Sequence, residues 1–277
     1  MTATQKLSPN NLSPQNLAPR HIGSVNWIGL ATLTRKETQR FFVVYLQTII
    51  APVISTILFY AVFSIALGGA GKTVAGIPFM DFLTPGLIMM SMAQNAFANT
   101  SSSMVISKVQ GNIVDVLMPP LTATEFAIAY TMGGLVRGVV IGIASIIVVA
   151  PFSGVPLHDP LYIIFHGVMG SCMLALLGLI GGIWSMKFDH LATVTNFIIM
   201  PATFLSGTFY TASQLPQAWQ FICHLNPFFY MIDGFRYGFT GVTDGSLQTG
   251  LIVMIAANIV LWVATIVMLK KGYKLKS

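Results

Sequence analysis

The sequence predicts an all-α integral membrane protein, from its composition, its long apolar stretches and the placement of its cations. Of the 277 residues, 55% are hydrophobic and only 8% are charged, whereas soluble domains carry roughly 25% charged residues. Six apolar stretches are each close to the ~20 residues that a helix needs to cross a bilayer. They cover residues 46–67, 85–106, 126–150, 161–184, 191–209 and 251–269, and we therefore expect six transmembrane helices.

The first 23 residues differ in character from the rest of the chain. They are polar and rich in proline and asparagine, and such a stretch buries too little apolar surface to fold. It has no apolar segment of the kind found in a secretory signal peptide. We predict a disordered cytoplasmic tail over residues 1–23 and one membrane domain over residues 24–277.

An amphipathic helix is predicted between Ser24 and the first span. Trp27, Leu30 and Leu33 share one side at helical spacing. Charged side chains crowd the later turns, namely Arg35, Lys36, Glu37 and Arg40. A helix of this kind typically lies at the membrane surface. The alternative is an ordinary extension of the first span.

The cations predict the orientation of the bundle. Eleven of the 14 Lys and Arg residues precede the first span or follow the second, fourth or sixth, which places them on one side. Lys72 and Arg236 fall on the other side, and Arg137 lies within the third span. Because cytoplasmic segments are rich in Lys and Arg, we expect both termini to be cytoplasmic. The surplus of six positive charges then reflects topology and does not indicate a nucleic-acid partner.

Polar residues in the second and third spans are the candidates for a substrate route. Ser91, Asn95 and Asn99 recur along one face of the second span. Amides in hydrocarbon need partners, so this stripe faces either neighbouring helices, through hydrogen bonds, or a wet pathway. Arg137 likewise has two interpretations: it lines the route, or its side chain extends to the cytoplasmic surface. Small residues at four-residue spacing predict close helix packing; they are Gly134, Gly138 and Gly142 in the third span and Gly167, Ser171 and Ala175 in the fourth.

Two segments outside the spans have unusual compositions. Residues 210–248 are rich in aromatics and are interrupted by Pro216 and Pro227, which suggests a re-entrant helical hairpin entering from the outer face. An aromatic belt at the headgroup level is the milder alternative. Residues 108–122 are too apolar for a free loop. They predict a short helix, stopped by Pro119, that either contacts a cytoplasmic partner or packs under its own bundle.

Signatures of enzymes and of metal sites are missing. Residues 71–73 read GKT, as in a phosphate-binding loop, but Ala66 stands where that motif needs glycine and the segment follows a membrane span. The five histidines form no pair at metal-binding spacing, and Cys172 and Cys223 form no CxxC motif. We therefore expect a protein that is not itself an enzyme and that binds no metal or cofactor of its own.

Together these features resemble the ABC-2 family of exporter permeases. The resemblance is carried by the charged surface helix, by FLTPGL at 82–87, by the segment 111–120, by LSGTFY at 205–210 and by NPFFY at 226–230 followed by Asp233 and Arg236. It covers the chain from about residue 24 to its end. The individual motifs are loose, and their order and spacing make the match specific.

The resemblance implies roles for particular residues. The short helix after the second span would be a coupling helix seated on a separate ATPase, formed by Gly111, Asn112, Ile113, Val114, Asp115, Val116, Leu117 and Pro119. The N-terminal helix, with Trp27, Arg35, Lys36, Glu37 and Arg40, would add to that contact. Asn95, Asn99 and Arg137 would serve the pathway or its packing. The outer gate would be formed by Phe209, Tyr210, Pro216, Trp219, Asn226, Pro227, Tyr230 and Arg236.

The resemblance also implies the assembly and its work. The chain would pair with a second permease, as a homodimer, and with two copies of an ATP-binding subunit that carries the ATP and Mg. Located in a bacterial inner membrane, it would export an amphipathic substrate such as a lipid-linked glycan, a lipo-oligosaccharide or a hydrophobic drug. A passive six-span channel or a secondary carrier without an ATPase is the alternative.

Overall fold

A computed structural model describes residues 23–67, 73–154 and 156–275. The predicted N-terminal tail, apart from Gly23, and most of the GKT segment lie outside these residues. The described elements are α1 (Trp27–Val43), a π-helical turn π1 (Leu46–Ile50), α2 (Ala51–Leu67), β1 (Thr73–Val74), β2 (Ile77–Pro78), α3 (Phe79–Val109), α4 (Ile113–Leu117), α5 (Ala123–Val149), α6 (Pro160–Trp184), α7 (Phe188–Val194), a second π turn π2 (Thr195–Ile199), α8 (Met200–Phe204), a 3-10 turn (Ala212–Gln214), α9 (Gln217–Leu225), α10 (Pro227–Thr240) and α11 (Leu247–Lys270).

Local sequence explains where several helices begin. Thr122 and Glu125 form a reciprocal capping box at the start of α5. Asp159 caps α6 and Asn226 caps α10, and in both helices proline occupies the first turn, where its missing N–H costs nothing. The turn π2 precedes Pro201, whose ring removes a hydrogen-bond donor from the helical ladder. Residues 188–204 therefore form one interrupted helix.

Four helices of the described residues are long and apolar enough to cross a membrane: Leu46–Ala66, Ala123–Val149, Pro160–Trp184 and Leu247–Lys270. They correspond to the first, third, fourth and sixth predicted spans. The second predicted span lies inside α3, which is longer and more polar than expected. The fifth is shorter than predicted, because its helix ends at Phe204 and not at residue 209.

The centre of the bundle is α3, which packs against α5, α6 and α10. Ala96, Met89 and Phe97 of α3 share the largest buried cluster with Leu174 and Met231. The predicted close packing is confirmed at the glycines: Gly134 of α5 lies against Ala175 of α6, and Gly138 lies against Ser171. Because these positions lack side chains, the backbones of three helices meet along α3.

The helices α9 and α10 form a hairpin whose two ends lie together. Met231 and Gly238 of α10 pack against Gly170 and Ile163 of α6, so α10 runs antiparallel to the first part of α6. Gly170 is about 15 Å along α6 from its first residue, at 1.5 Å per residue. The backbone N–H of Ala212, before the hairpin, donates to the carboxylate of Asp244 after it. The chain thus enters and leaves the bundle at the end where α6 begins.

Candidate functional site

The polar face of α3 borders an open groove on each of its sides. One groove, of about 310 Å³, lies between α3 and the first half of α2. The other, of about 330 Å³, lies between α3 and residues 191–200. Gln94 and Asn95 line both grooves, and we call the surface formed by Ser91, Gln94, Asn95, Ala98 and Ser102 the α3 strip. The residues of this strip are half-buried, and four of the five carry polar side chains.

Arg137 of α5 lies directly behind the α3 strip. Its Nη2 donates to Oδ1 of Asn95 at 2.8 Å, and only 9% of the residue is exposed. Its Nε has no hydrogen-bond acceptor. In the described segments no Asp or Glu forms an ion pair with it. This burial disagrees with the interpretation in which Arg137 extends to the cytoplasmic surface.

The helix α1 packs against the bundle and is not a free helix at the membrane surface. Leu33, Glu37 and Phe41 are buried along one face. Arg40 reaches α3, where its Nη2 donates to the backbone oxygen of Asn99 at 2.6 Å and to the Ser102 hydroxyl at 3.2 Å. Of the two interpretations given for the polar stripe, Asn99 therefore follows the first, a hydrogen bond to a neighbouring helix.

Glu37 requires a correction to the sequence-based grouping. It was placed with the exposed charges of α1, yet its side chain is fully buried, while Trp27, Arg35 and Lys36 are exposed. Its Cβ fills the space left by Gly133 of α5. Neither carboxylate oxygen has a hydrogen-bond partner, and Arg40 Nε is 3.9 Å away. Burial raises the pKa of the Glu37 carboxyl, and the nearby Ser103 hydroxyl and Arg40 offset only part of that rise.

The short helix α4 has one buried face and one exposed face. Ile113 and Val116 are buried in a cluster with Met104 and Phe126. Val114, Leu117 and Met118 are 56%, 39% and 75% exposed. The remaining members of the predicted coupling segment, Gly111, Asn112, Asp115 and Pro119, are exposed as well. The helix therefore packs under its own bundle through one face and leaves its other face uncovered. Ile113 and Val116 are excluded from any docking surface.

The start of α1 is fastened to the chain that follows α4. The backbone N–H of Asn26 donates to Oε1 of Glu125 at 2.6 Å, and its side-chain amide donates to the Pro120 carbonyl at 3.2 Å. The other carboxylate oxygen of Glu125 accepts from the Thr122 N–H at 2.6 Å. One carboxylate thus joins α1, α5 and the α4–α5 connection into a single unit.

Lys108 connects two helix ends at the same side of the bundle. Its Nζ donates to the carbonyls of Gly182 and Ser185 at 3.0 and 3.2 Å, and also to that of Ile183. These are carbonyls at the end of α6, which have no partner within the helix. Lys108 therefore ties the end of α3 to the end of α6.

A second buried cation, Arg236, organises the opposite end. It is 2% exposed. Its Nε donates to the Phe82 carbonyl at 3.1 Å, and its Nη2 donates to the Gly207 carbonyl at 2.7 Å. The guanidinium carbon lies 3.7 Å from the centroid of the Phe82 ring, a cation–π contact. Arg236 therefore fastens α10 to the start of α3 and to residues 205–211.

The predicted gate residues divide between the hairpin and its surroundings. Phe209 packs on Phe63 of α2 with ring centroids 5.3 Å apart, and the Tyr210 hydroxyl donates to the Phe204 carbonyl. Asn226 links α9 to α8, since its amide donates to the Ala202 carbonyl at 2.7 Å. The other members are Pro216 and Pro227, which precede or open the two helices, Tyr230, which is buried, and Trp219, which is 52% exposed.

Sequence reasoning missed Asn26 and Glu125, and it noted Asp233 as part of the family resemblance without giving it a role. Asp233 accepts from the backbone N–H groups of Asp244 and Gly245 and thereby holds the loop after α10. The spacing Thr122-x-x-Glu125 is a capping-box signal that could have marked the start of α5. No local signal points to the bond with Asn26, because the partners are 99 residues apart.

Comparisons with known proteins agree with this architecture. The family model "ABC-2 type transporter" matches residues 29–240. The inner membrane transport permease YadH of Escherichia coli K12 is 34% identical over 251 residues, which cover 91% of this chain and 98% of that protein. The proteins of the same name from Escherichia coli O157:H7 and Shigella flexneri show the same identity and coverage.

Proposed function

Since the chain belongs to the ABC-2 type transporter family, we propose that it is the transmembrane permease subunit of an ATP-driven exporter. It is a membrane transport protein of the permease type with several apolar helices. In the proposal, two copies of a separate ATP-binding subunit hold the ATP and Mg and perform hydrolysis, and a second copy of this chain completes a homodimer. The membrane is the bacterial inner membrane, as it is for the relative YadH, an inner membrane transport permease.

The observation that carries the proposal is the exposed apolar face of α4. Val114, Leu117 and Met118 point away from the bundle on a helix whose other face is anchored by Ile113 and Val116. Exposed apolar residues on an anchored helix suit insertion into a groove of another protein. Because Glu125 ties the chain after α4 to Asn26, movement of α4 by a partner would also move the start of α1.

We propose six spans, with α3 and residues 188–204 added to the four most apolar helices. At 1.5 Å per residue α3 is about 46 Å long and the 188–204 segment about 25 Å, against a hydrocarbon core of roughly 30 Å. An even number of spans places both termini on one side, and the cations near them assign that side to the cytoplasm. Lys108 and Arg236, engaged inside the bundle, contribute little to this assignment.

The α3 strip is the proposed substrate route. It borders two grooves whose opposite walls include exposed apolar residues such as Phe59 of α2 and Met200 of α8. A second copy of the chain placed against these helices would enclose the polar strip while covering apolar surface. Such a route, polar on one wall and apolar on the others, suits an amphipathic substrate. The α9–α10 hairpin, held by Arg236, would close the route from outside as a re-entrant gate.

The experiment that tests the proposal measures coupling to an ATPase. The tagged chain is expressed with each ATP-binding subunit of its host, and the complex that co-purifies is assayed for hydrolysis in lipid nanodiscs. We expect Val114→Asp combined with Leu117→Asp to abolish co-purification or stimulated hydrolysis, because both side chains lie on the exposed face of α4. Val116 is left unchanged, since its burial would confuse docking with folding.

Phe152→Asp is the matched control. Phe152 is also apolar and 69% exposed, but it lies in the connection between α5 and α6, at the other end of the bundle. It should leave hydrolysis unchanged. Equal hydrolysis by wild type and the α4 double variant would contradict the coupling assignment. Transport by the purified chain without any ATPase would favour the alternative function, a passive channel or a secondary carrier.

A further inference from the structure

Arg137 is a buried cation for which the described chain supplies no anion. A guanidinium inside a membrane bundle is costly unless it is paired. Its one hydrogen bond in the structure goes to a neutral amide, that of Asn95, and its Nε has no acceptor. Arg40, a second cation, repels it through a charge–charge interaction. The charge of Arg137 is therefore not balanced within its own surroundings.

Glu37 does not fill the role of counter-ion for Arg137. The ion pair that the structure describes for Glu37 is with Arg40, at 3.9 Å. Its side chain sits against Gly133 on the side of α5 that faces α1. The junction of α1, α3 and α5 thus contains two arginines and one carboxylate, and it carries excess positive charge.

The excess charge lies at the wall of an accessible groove. Asn95 accepts from Arg137 on one side and lines the α2–α3 groove on the other. Its Nδ2 donates to the Ser91 carbonyl at 2.9 Å, so the amide is held in one orientation. The groove is lined by neutral polar groups, including Gln47, Ser55 and Gln94, and by apolar groups such as Phe59. None of its lining residues is acidic.

We propose that the α2–α3 groove binds an amphipathic substrate through an acidic headgroup, a phosphate or a carboxylate, with Arg137 as the recognising cation. The planar guanidinium matches the oxygens of either group. When the Asn95 side chain rotates and gives up its bond to the Ser91 carbonyl, Arg137 is exposed to the groove, and the headgroup replaces the amide as acceptor. The apolar part of the substrate lies along α2. This inference rests on the proposed function and narrows its substrates to anionic ones.

Binding is tested on the full-length protein in a neutral maltoside detergent. The probes are lysophosphatidic acid and lysophosphatidylcholine with the same acyl chain, together with inorganic phosphate. We expect lysophosphatidic acid, whose headgroup is a phosphate monoester, to bind more tightly than lysophosphatidylcholine. Arg137→Gln should weaken the binding of lysophosphatidic acid by about ten- to a hundred-fold, which is the range expected for the loss of one charge-assisted hydrogen bond. Binding of lysophosphatidylcholine should not change.

Two further variants separate charge recognition from a loss of structure. Arg137→Lys keeps the charge but loses the planar fork, so it should retain part of the preference for the monoester. Lys187→Gln removes an exposed cation from the connection between α6 and α7 and should have no effect. Equal binding of both lipids to the wild type, or equal binding of lysophosphatidic acid to wild type and Arg137→Gln, would overturn the proposal. If inorganic phosphate bound as tightly as lysophosphatidic acid, the claim that the apolar part of the substrate contributes to binding would be overturned.

A hydrolysis assay distinguishes a substrate from a resident membrane lipid. In the complex with its ATPase, lysophosphatidic acid should stimulate hydrolysis by the wild type and not by Arg137→Gln. Binding without stimulation would identify a resident lipid and overturn the substrate assignment. The two hypotheses fail separately: if the α4 double variant uncouples hydrolysis but the probes bind equally, the exporter function stands and the anionic preference is wrong.

Discussion

A close helix contact at the centre of the bundle can be tested by adding a single methyl group. A Cβ on Gly134 of α5 would lie 2.7 Å from the Cβ of Ala175, 2.9 Å from Cγ2 of Thr100 and 3.0 Å from the carbonyl oxygen of Ala96. Carbon atoms prefer separations of about 3.5–4.0 Å. Gly134→Ala therefore forces α5 away from α3 and α6 by roughly 1 Å, and two of the three obstacles are backbone or Cβ atoms that cannot rotate aside.

The size of the effect follows from two opposing contributions. Overpacking a rigid core costs about 1–3 kcal/mol and occasionally more, and a site with two fixed neighbours falls at the upper end. Replacing glycine by alanine within a helix returns about 1 kcal/mol. We expect a net destabilisation of about 2 kcal/mol, which at roughly 2–4 °C per kcal/mol lowers the apparent Tm by about 4–8 °C.

Gly181 of α6 provides the matched control, because it is also a buried helical glycine. A Cβ there would meet nothing closer than Val194 Cγ1 at 3.7 Å, so Gly181→Ala should leave the apparent Tm unchanged or raise it. The assay is thermal denaturation in detergent, followed by the monodisperse fraction on size exclusion, at one fixed heating time. A Gly134→Ala protein as stable as the wild type, or a Gly181→Ala protein that loses as much stability, would refute the packing argument.

Three further predictions concern the charged groups of the bundle. Arg236→Met should lower the apparent Tm by roughly 6–24 °C, because two carbonyls lose charge-assisted bonds of about 1.5–3 kcal/mol each. Arg35→Met, at an exposed site, should change the apparent Tm by less than about 2 °C, and equal shifts would contradict the role of Arg236 in fastening α10 to α3. Glu125→Ala should increase hydrogen exchange at Asn26 and in the first turn of α1, with Asp189→Ala, which is exposed, as the control; unchanged exchange would show that the carboxylate does not hold α1. Glu37→Gln should flatten the dependence of Tm on pH. Because the pKa of this carboxyl is raised in the folded protein, its contribution to stability is fully present when the pH is below the ordinary pKa of 4.5. The contribution is lost as the pH rises through the raised pKa. The variant should therefore be more stable than wild type at pH 7.5 and equal to it near pH 4.5, and parallel curves would show that Glu37 is not buried as a proton-binding group.

The sequence predicted those parts of the fold that depend on local composition. Long apolar runs located α2, α5, α6 and α11, and the four-residue spacing of small residues predicted the contact between Gly134 and Ala175. The end of the fifth helix was placed too late, because the apolar composition continues past Phe204 although the helix does not. Hydropathy reports the surroundings that a residue prefers and carries little information on where backbone hydrogen bonding stops.

The candidate site was predicted in its members but not in its arrangement. Asn95 and Arg137 were both identified, yet their contact spans 42 residues and depends on how α3 and α5 rotate about each other. Glu37 was assigned to the exposed side of α1 because charge normally indicates exposure. Its burial follows from the gap at Gly133, a property of another helix, and no periodicity within α1 could have revealed it.

The spacing of Asn95 and Arg137 along the chain has a consequence for biogenesis. At about 5–20 residues per second, the ribosome makes Asn95 some 2–8 s before it makes Arg137, whose guanidinium donates to it 42 residues later. During that interval the polar strip of α3 lacks its partner from α5, whereas Arg137 is made when its acceptor is already present. Insertion of the arginine-bearing helix would then depend on the prior presence of α3, so chains synthesised with the two helices in reversed order should be degraded before they are assembled.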